Sequence, residues 1–96
     1  MPGFKLTPDA LNDMLDIARY TEHQWGKKQR DYYLEEIDKR FHWLSENPDL
    51  AMPRDDIKPG YLSYPQNKHV IFFRTRSSHI EILGILHKSM DVKKHL

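Results

Sequence analysis

Apolar residues recur along this 96-residue chain at two different periods, and the change of period divides it in two. Phe4-Lys5-Leu6 is a short extended segment. Thr7 before Pro8 has the pattern of a helix N-cap followed by proline at the first helical position, and Asp9 adds negative charge to the first turn. From there Leu11, Met14 or Leu15, Ala18 and Trp25 follow at helical spacing, with Ile17 and Thr21 beside them. This predicts an amphipathic helix over 8–24. Gly26 marks a stop or tight turn. A second helix is expected from Lys27 or Lys28, with an apolar stripe of Leu34, Ile37, Phe41 and Leu44 and with Tyr33 on its flank. On its polar side Glu35 precedes Lys39, and Glu36 precedes Arg40, at the four-residue spacing of helical ion pairs. It ends before Asn47-Pro48, because proline disfavours helix at the preceding residue. The short Trp25-Gly26 link forces a helical hairpin, with Trp25 expected to plug the core at the bend.

The second half reads differently. Pro48, Pro53 and Pro59 break regular structure, so 47–60 is expected to be a loop, locally charged at Arg54-Asp55-Asp56. Gly60 to Tyr64 opens an extended run, and Pro65-Gln66-Asn67-Lys68 reads as a turn. His69 to Thr75 is the strongest strand signal. Arg76-Ser77-Ser78 is the next turn and His79 to Leu86 the next strand, with Ile80 and Ile82 on one face. The polar tail from His87 is expected to carry one helical turn or to lie on the sheet, and a thin core does not obviously require it. The sum is one α+β domain over 1–96. An N-terminal strand and a two-helix hairpin pack on a mainly antiparallel sheet. The first strand must join that sheet, although periodicity cannot choose its partner. Helices on one face leave the other to be covered by the tail or by a partner.

Composition narrows the classes. There is no cysteine, which excludes disulfide scaffolds, thiolate metal sites and cysteine nucleophiles. No apolar run approaches the ~20 residues that cross a bilayer. The start, Met1-Pro2-Gly3-Phe4-Lys5, has no apolar leader segment, so the expected location is cytoplasmic. The net charge of +1 hides a gradient. Residues 1–65 hold 9 basic and 12 acidic side chains, whereas residues 66–96 hold 6 basic, 2 acidic and four of the six histidines. A basic final third points toward an acidic partner or a nucleic acid.

No phosphate-binding glycine loop, zinc-protease helix, calcium loop or nucleophile elbow is present. His87, Asp91 and His95 would share a face if 87–96 were one helix, but zinc needs a third firm ligand, so neither metal nor cofactor is expected. A metal-independent ribonuclease needs a base, an acid and cations over the phosphate. Candidates are His69, Arg74, Arg76, His79, His87 and Lys88. If the two long strands are antiparallel neighbours, His69 at the start of one meets His87 at the end of the other. Phe72 and Phe73 point to opposite faces, so one of them meets something other than the helices.

Several strings considered together resemble a known family. They include Lys5-Leu6-Thr7-Pro8-Asp9-Ala10, Trp25-Gly26, Arg54-Asp55-Asp56 before Gly60-Tyr61, His69-Val70-Ile71-Phe72-Phe73-Arg74, and Ile85-Leu86-His87 with Met90-Asp91. Their order and spacing resemble the ParE toxins of the RelE/ParE superfamily, from bacterial type II toxin–antitoxin operons, over essentially the whole chain. The resemblance implies the strand, hairpin and sheet read above. It implies a cognate antitoxin from the same operon, operator DNA reached only through that antitoxin, and no membrane. It also implies a target, DNA gyrase, poisoned by binding and without catalytic residues. The RelE branch instead cleaves messenger RNA on the ribosome. Many of its members carry a tyrosine near the C-terminus, whereas none follows Tyr64 here, and Lys68-His69 stands where a related ribonuclease branch tends to place arginine. The ParE reading is therefore favoured, with His69, Arg74 and His87 as the catalytic set under the nuclease alternative. The target surface is expected at His87, Lys88, Met90 and Asp91, and the antitoxin surface at Phe72, Arg74 and Arg76.

Overall fold

The computed structural model describes residues 3–96; Met1 and Pro2, where the leader was sought, lie outside them. β1 (Gly3–Leu6) is followed by α1 (Pro8–Trp25) and α2 (Lys27–Glu46). A 3-10 turn (Pro48–Leu50) leads to β2 (Met52–Pro53), β3 (Leu62–Gln66), β4 (His69–Thr75), β5 (His79–His87) and a single helical turn, α3 (Val92–His95). The strand order is β1-β5-β4-β3-β2. β1 lies parallel to β5, Phe4 opposite Ile80 and Leu6 opposite Ile82, and every other pair is antiparallel.

Local chemistry sets the element ends. Thr7 caps α1, its Oγ1 accepting from the Ala10 N–H at 3.1 Å, with Pro8 behind it. Gly26 joins the two helices alone, at φ +91°, a conformation that side chains with a Cβ resist. Asn67 takes φ +55° in the two-residue turn between β3 and β4, which asparagine tolerates better than most residues. The turn is shorter than the sequence reading because Pro65 and Gln66 already pair with Val70 and His69. Likewise 47–60 is not all loop. Met52 and Pro53 pair with β3 as an edge strand, where a proline costs no inner ladder bond.

The core has two layers. On the helix side, Ala10 and Ile17 of α1 and Ile37, Phe41 and Leu44 of α2 pack on Ile71, Phe73, Ile80, Ile82 and Ile85. The buried face of α1 is thus Ala10, Ile17 and Thr21, with Met14 half-buried, while Leu11 and Leu15 face solvent. Trp25 does not plug the bend: it is 70% exposed, and the hairpin closes on Gly26 alone. Glu36 pairs with Lys39 rather than Arg40. Arg40 instead donates to Gln66 Oε1 at 2.9 Å and lies 5.0 Å from the ring centres of both Trp43 and Tyr64.

The outer layer is Phe72, Leu83 and Leu86, covered by Ile57, Tyr61, Val70, Val92 and Leu96. Phe72 is 1% exposed, so it is core and not the open antitoxin surface read from the sequence. The tail lies across the sheet and contributes two apolar side chains to this layer. One extra residue makes both layers possible. Phe72 pairs with Gly84 and Phe73 with Ile82, leaving Leu83 as a bulge. The bulge shifts the alternation by one, so that Ile85 still points at the helices while Leu83 and Leu86 point outward.

β1 ends at Leu6, and beyond it β5 has no strand on that side. Asp13 takes over. Its Oδ2 accepts from the Ile85 N–H at 2.9 Å. Burial raises its pKa above the usual carboxylate value, against the opposing pull of the Ile85 bond. A Cβ on Gly84 would sit 3.2 Å from the same oxygen, so the missing side chain gives the carboxylate its approach. Asp13→Ala leaves the Ile85 N–H without its partner and is expected to cost about 1 kcal/mol, read as a fall in the urea midpoint. Asp13→Asn keeps an acceptor and is expected to retain most of that stability.

Candidate functional site

The strand register brings His69 and His87 face to face as Cα partners. Their rings are 5.4 Å apart, edge to face at 85°. Tyr33 reaches over from α2, with its hydroxyl 2.8 Å from His69 Nδ1. On the other ring, the Ser89 N–H donates to His87 Nδ1 at 3.2 Å and Ser89 Oγ lies 2.8 Å away. An accepting Nδ1 leaves the proton of a neutral His87 on Nε2.

The pair borders an open cleft of about 390 Å³ between α1 and the end of β5. Asp13, Asp16 and Tyr20 line one wall, and Ser89 and Met90 the other. Burial, with His87 as a second cause, pushes His69 down from an ordinary value near 6.5 to about 4. It is therefore neutral at pH 7. Burial raises the Tyr33 phenol.

The arginine candidates and His79 lie at the other end of the two strands. Arg74 stands five residues along β4 from His69, about 17 Å at ordinary strand rise, so the set His69, Arg74 and His87 is not assembled. Arg74 Nε binds Glu81 at 2.7 Å and Arg76 joins the same carboxylate at 3.3 Å. The Arg74 hydrogen bond holds the Glu81 carboxyl below its usual pKa. Arg74 and Arg76 form a cationic end to the outer sheet face, opposite the histidines. Lys88 and Met90 are exposed beside His87. Asp91 caps α3, its Oδ1 accepting from the Lys93 N–H at 3.1 Å. His87 belongs to β5 and Asp91 to a cap, so 87–96 is not one helix and the shared face with His95 does not exist.

Sequence reasoning missed Tyr33 and Asp13 as members of this region. Asp13 had a signal: it falls on the inward arc with Ala10, Met14 and Ile17, where a carboxylate needs a donor.

With this geometry in place, the relatives of the chain are informative. Residues 4–92 match the family described as the ParE toxin of the type II toxin–antitoxin system parDE. The chain is 31% identical over 96 residues to the toxin ParE1 of Caulobacter vibrioides, spanning 100% of this chain and 99% of that protein. It is 31% identical over 94 residues to the toxin ParE1 of Mycobacterium tuberculosis, spanning 97% and 96%. Among solved structures, a chain of the chromosomal ParDE toxin–antitoxin system of P. aeruginosa superposes with a TM-score of 0.77 at 20% identity, over 91% of this chain and 96% of that one. A chain of the RelBE2 toxin–antitoxin complex of Mycobacterium tuberculosis gives 0.62 at 18% identity, over 92% and 100%. The fold is that of the RelE/ParE toxins. Within that superfamily the chain belongs to the ParE toxin family of type II toxin–antitoxin systems.

Proposed function

We propose that this ParE-type toxin poisons DNA gyrase by binding, with no chemistry of its own, and is silenced by a cognate antitoxin from the same operon. The observation that carries the reading is the match to ParE toxins along almost the entire chain. The separation of Arg74 supports it, because of the set His69, Arg74 and His87 only the two histidines meet, and Arg74 stands at the far end of the strand tied to Glu81. The target surface is His87, Lys88 and Met90 at the cleft mouth; Asp91 serves it indirectly by holding α3. The antitoxin is a partner because solved relatives of this fold are toxin–antitoxin complexes. Its acidic residues meet Arg74 and Arg76, and it alone carries the pair to operator DNA. Purified toxin is expected to accumulate cleaved DNA only when gyrase and ATP are present. In cells, DNA synthesis should fall before protein synthesis in the first minutes after induction. No effect on gyrase from its own host would remove this reading.

One observation favours a second reading, a ribosome-dependent messenger RNA endonuclease: two histidine rings 5.4 Å apart at the cleft. Codon-phased cuts in translated messages after induction would establish it over the first. His87→Gln separates the two. As the loss of one surface contact replaced by another polar group, it should weaken gyrase poisoning only a few-fold, but it should cost at least ~100-fold in cleavage if His87 acts as acid or base.

A further inference from the structure

Tyr20 and His87 also border a second hollow, of about 310 Å³, on the hairpin side of the histidine pair. Its walls are Tyr20, Thr21 and Trp25 of α1, Gln29 and Tyr33 of α2, and Asn67, Lys68 and His87 from the strand ends. No carboxylate lines it among the described residues. Tyr20 and Trp25 are 65% and 70% exposed, so packing explains neither ring. Lys88 is anchored next to Lys68, whose carbonyl accepts its N–H at 2.9 Å. Lys27 and Lys28 follow the bend directly. None of these four lysines is in an ion pair among the described residues. Glu22 and Asp31, the carboxylates closest in sequence to the bend, are both held by Arg30.

Exposed rings beside unpaired ammonium groups, with the carboxamides of Gln29 and Asn67 in the same hollow, suit one chemistry. A base stacks on the rings, an amide meets its edge, and cations take the phosphates. An acidic peptide would use the lysines but leave the rings in water. A duplex would keep its bases from them. The Gln29 and Asn67 amides can meet a base edge or a ribose hydroxyl alike, so the hollow fits either sugar. We infer that this hollow takes one unpaired nucleotide of a single strand, its base on Trp25 or Tyr20 and its phosphates on Lys68 and Lys88. The binding is independent of whether gyrase is the target.

The test is fluorescence anisotropy of the purified full chain with labelled oligo-dT of about twelve nucleotides. Binding is expected to exceed that of a duplex of equal length. Trp25→Ala should weaken it about tenfold, while Trp25→Phe should retain most of it. Lys68→Ala should lower the slope of log affinity against log salt by about one. All these side chains are exposed, so the variants should melt like the parent. Three results would overturn the inference: no binding at low salt, equal binding of duplex, or unchanged affinity in Trp25→Ala; oligo-U measured beside oligo-dT assigns the strand to RNA or DNA. Trp25-dependent binding of an oligo-glutamate peptide that displaces the DNA would assign the hollow to a protein partner instead.

Discussion

A chain ending at His87 is expected to lose about 3 kcal/mol of stability, a large share of the roughly 5–14 kcal/mol that a protein of this length commands. The loss follows from the outer layer. Val92 and Leu96 lie over Phe72, Leu83 and Leu86, and each is half-buried. Full burial of such side chains is worth about 1.5–3 kcal/mol each, so two partly buried ones supply the lower end of that range apiece. Thermal melting should fall by more than about 10 °C, at roughly 4–8 °C per kcal/mol. Replacing Val92 and Leu96 with serine in the full chain should reproduce most of the fall. A truncated chain that melts with the parent would show that the outer layer holds without its cover. Loss of toxicity on truncation therefore says nothing about a target surface, because the fold weakens with it. Lys88→Glu and Met90→Ser, at exposed positions, are the variants that report on it.

Acidification from pH 7 to pH 4.5 is expected to remove about 2 kcal/mol through His69 alone. In the unfolded chain this imidazole takes up its proton near pH 6.5, whereas in the folded chain it stays neutral down to about 4. The unfolded state binds more protons across that window, so the stability present above pH 6.5 drains away as the pH falls toward 4. The full shift would correspond to about 3 kcal/mol at 1.36 kcal/mol per unit. The ring is only half-buried, and water screening brings the expectation down to about 2. Asp13 works in the opposite direction: its raised pKa favours the folded state as the pH drops, which offsets part of the loss. Urea midpoints at both pH values, for the parent and for His69→Gln, separate the terms. The variant should lose clearly less on acidification; an equal loss would mean that His69 is not the group responsible.

The two long strands were legible because Val70 to Phe73 is an unbroken run of branched and aromatic side chains and Ile80 to Leu86 is branched and apolar apart from Glu81 and Gly84. The meeting of His69 and His87 followed from them, since the ends of an antiparallel pair must coincide. The orientation of α1 was not legible. Leu11, Leu15, Ala18 and Trp25 form one apolar stripe and Ala10, Met14, Ile17 and Thr21 another, and only docking on β5 decides between them. β2 escaped because two residues carry no period and one of them is proline. The tail was legible as a helical turn or a cover for the sheet, but its polar composition hid that Val92 and Leu96, four residues apart, join the core. The outward-pointing Phe72, Leu83 and Leu86 required such a cover. Dispersal of the arginines was implicit in strand rise, which places Arg74 far from His69 whatever the partner strand.

The parallel pairing of β1 with β5 joins the first described residues to almost the last. β1 has no other strand neighbour, so it waits for residues 79–87 before it can enter the sheet. A ribosome making this chain releases β1 long before residues 79–87. β3, β4 and β5 pair through short turns, so only the β1–β5 contacts must wait for loop closure from residue 3 to residue 79. Until β1 docks, that edge of β5 stays open to pairing with a strand of another chain.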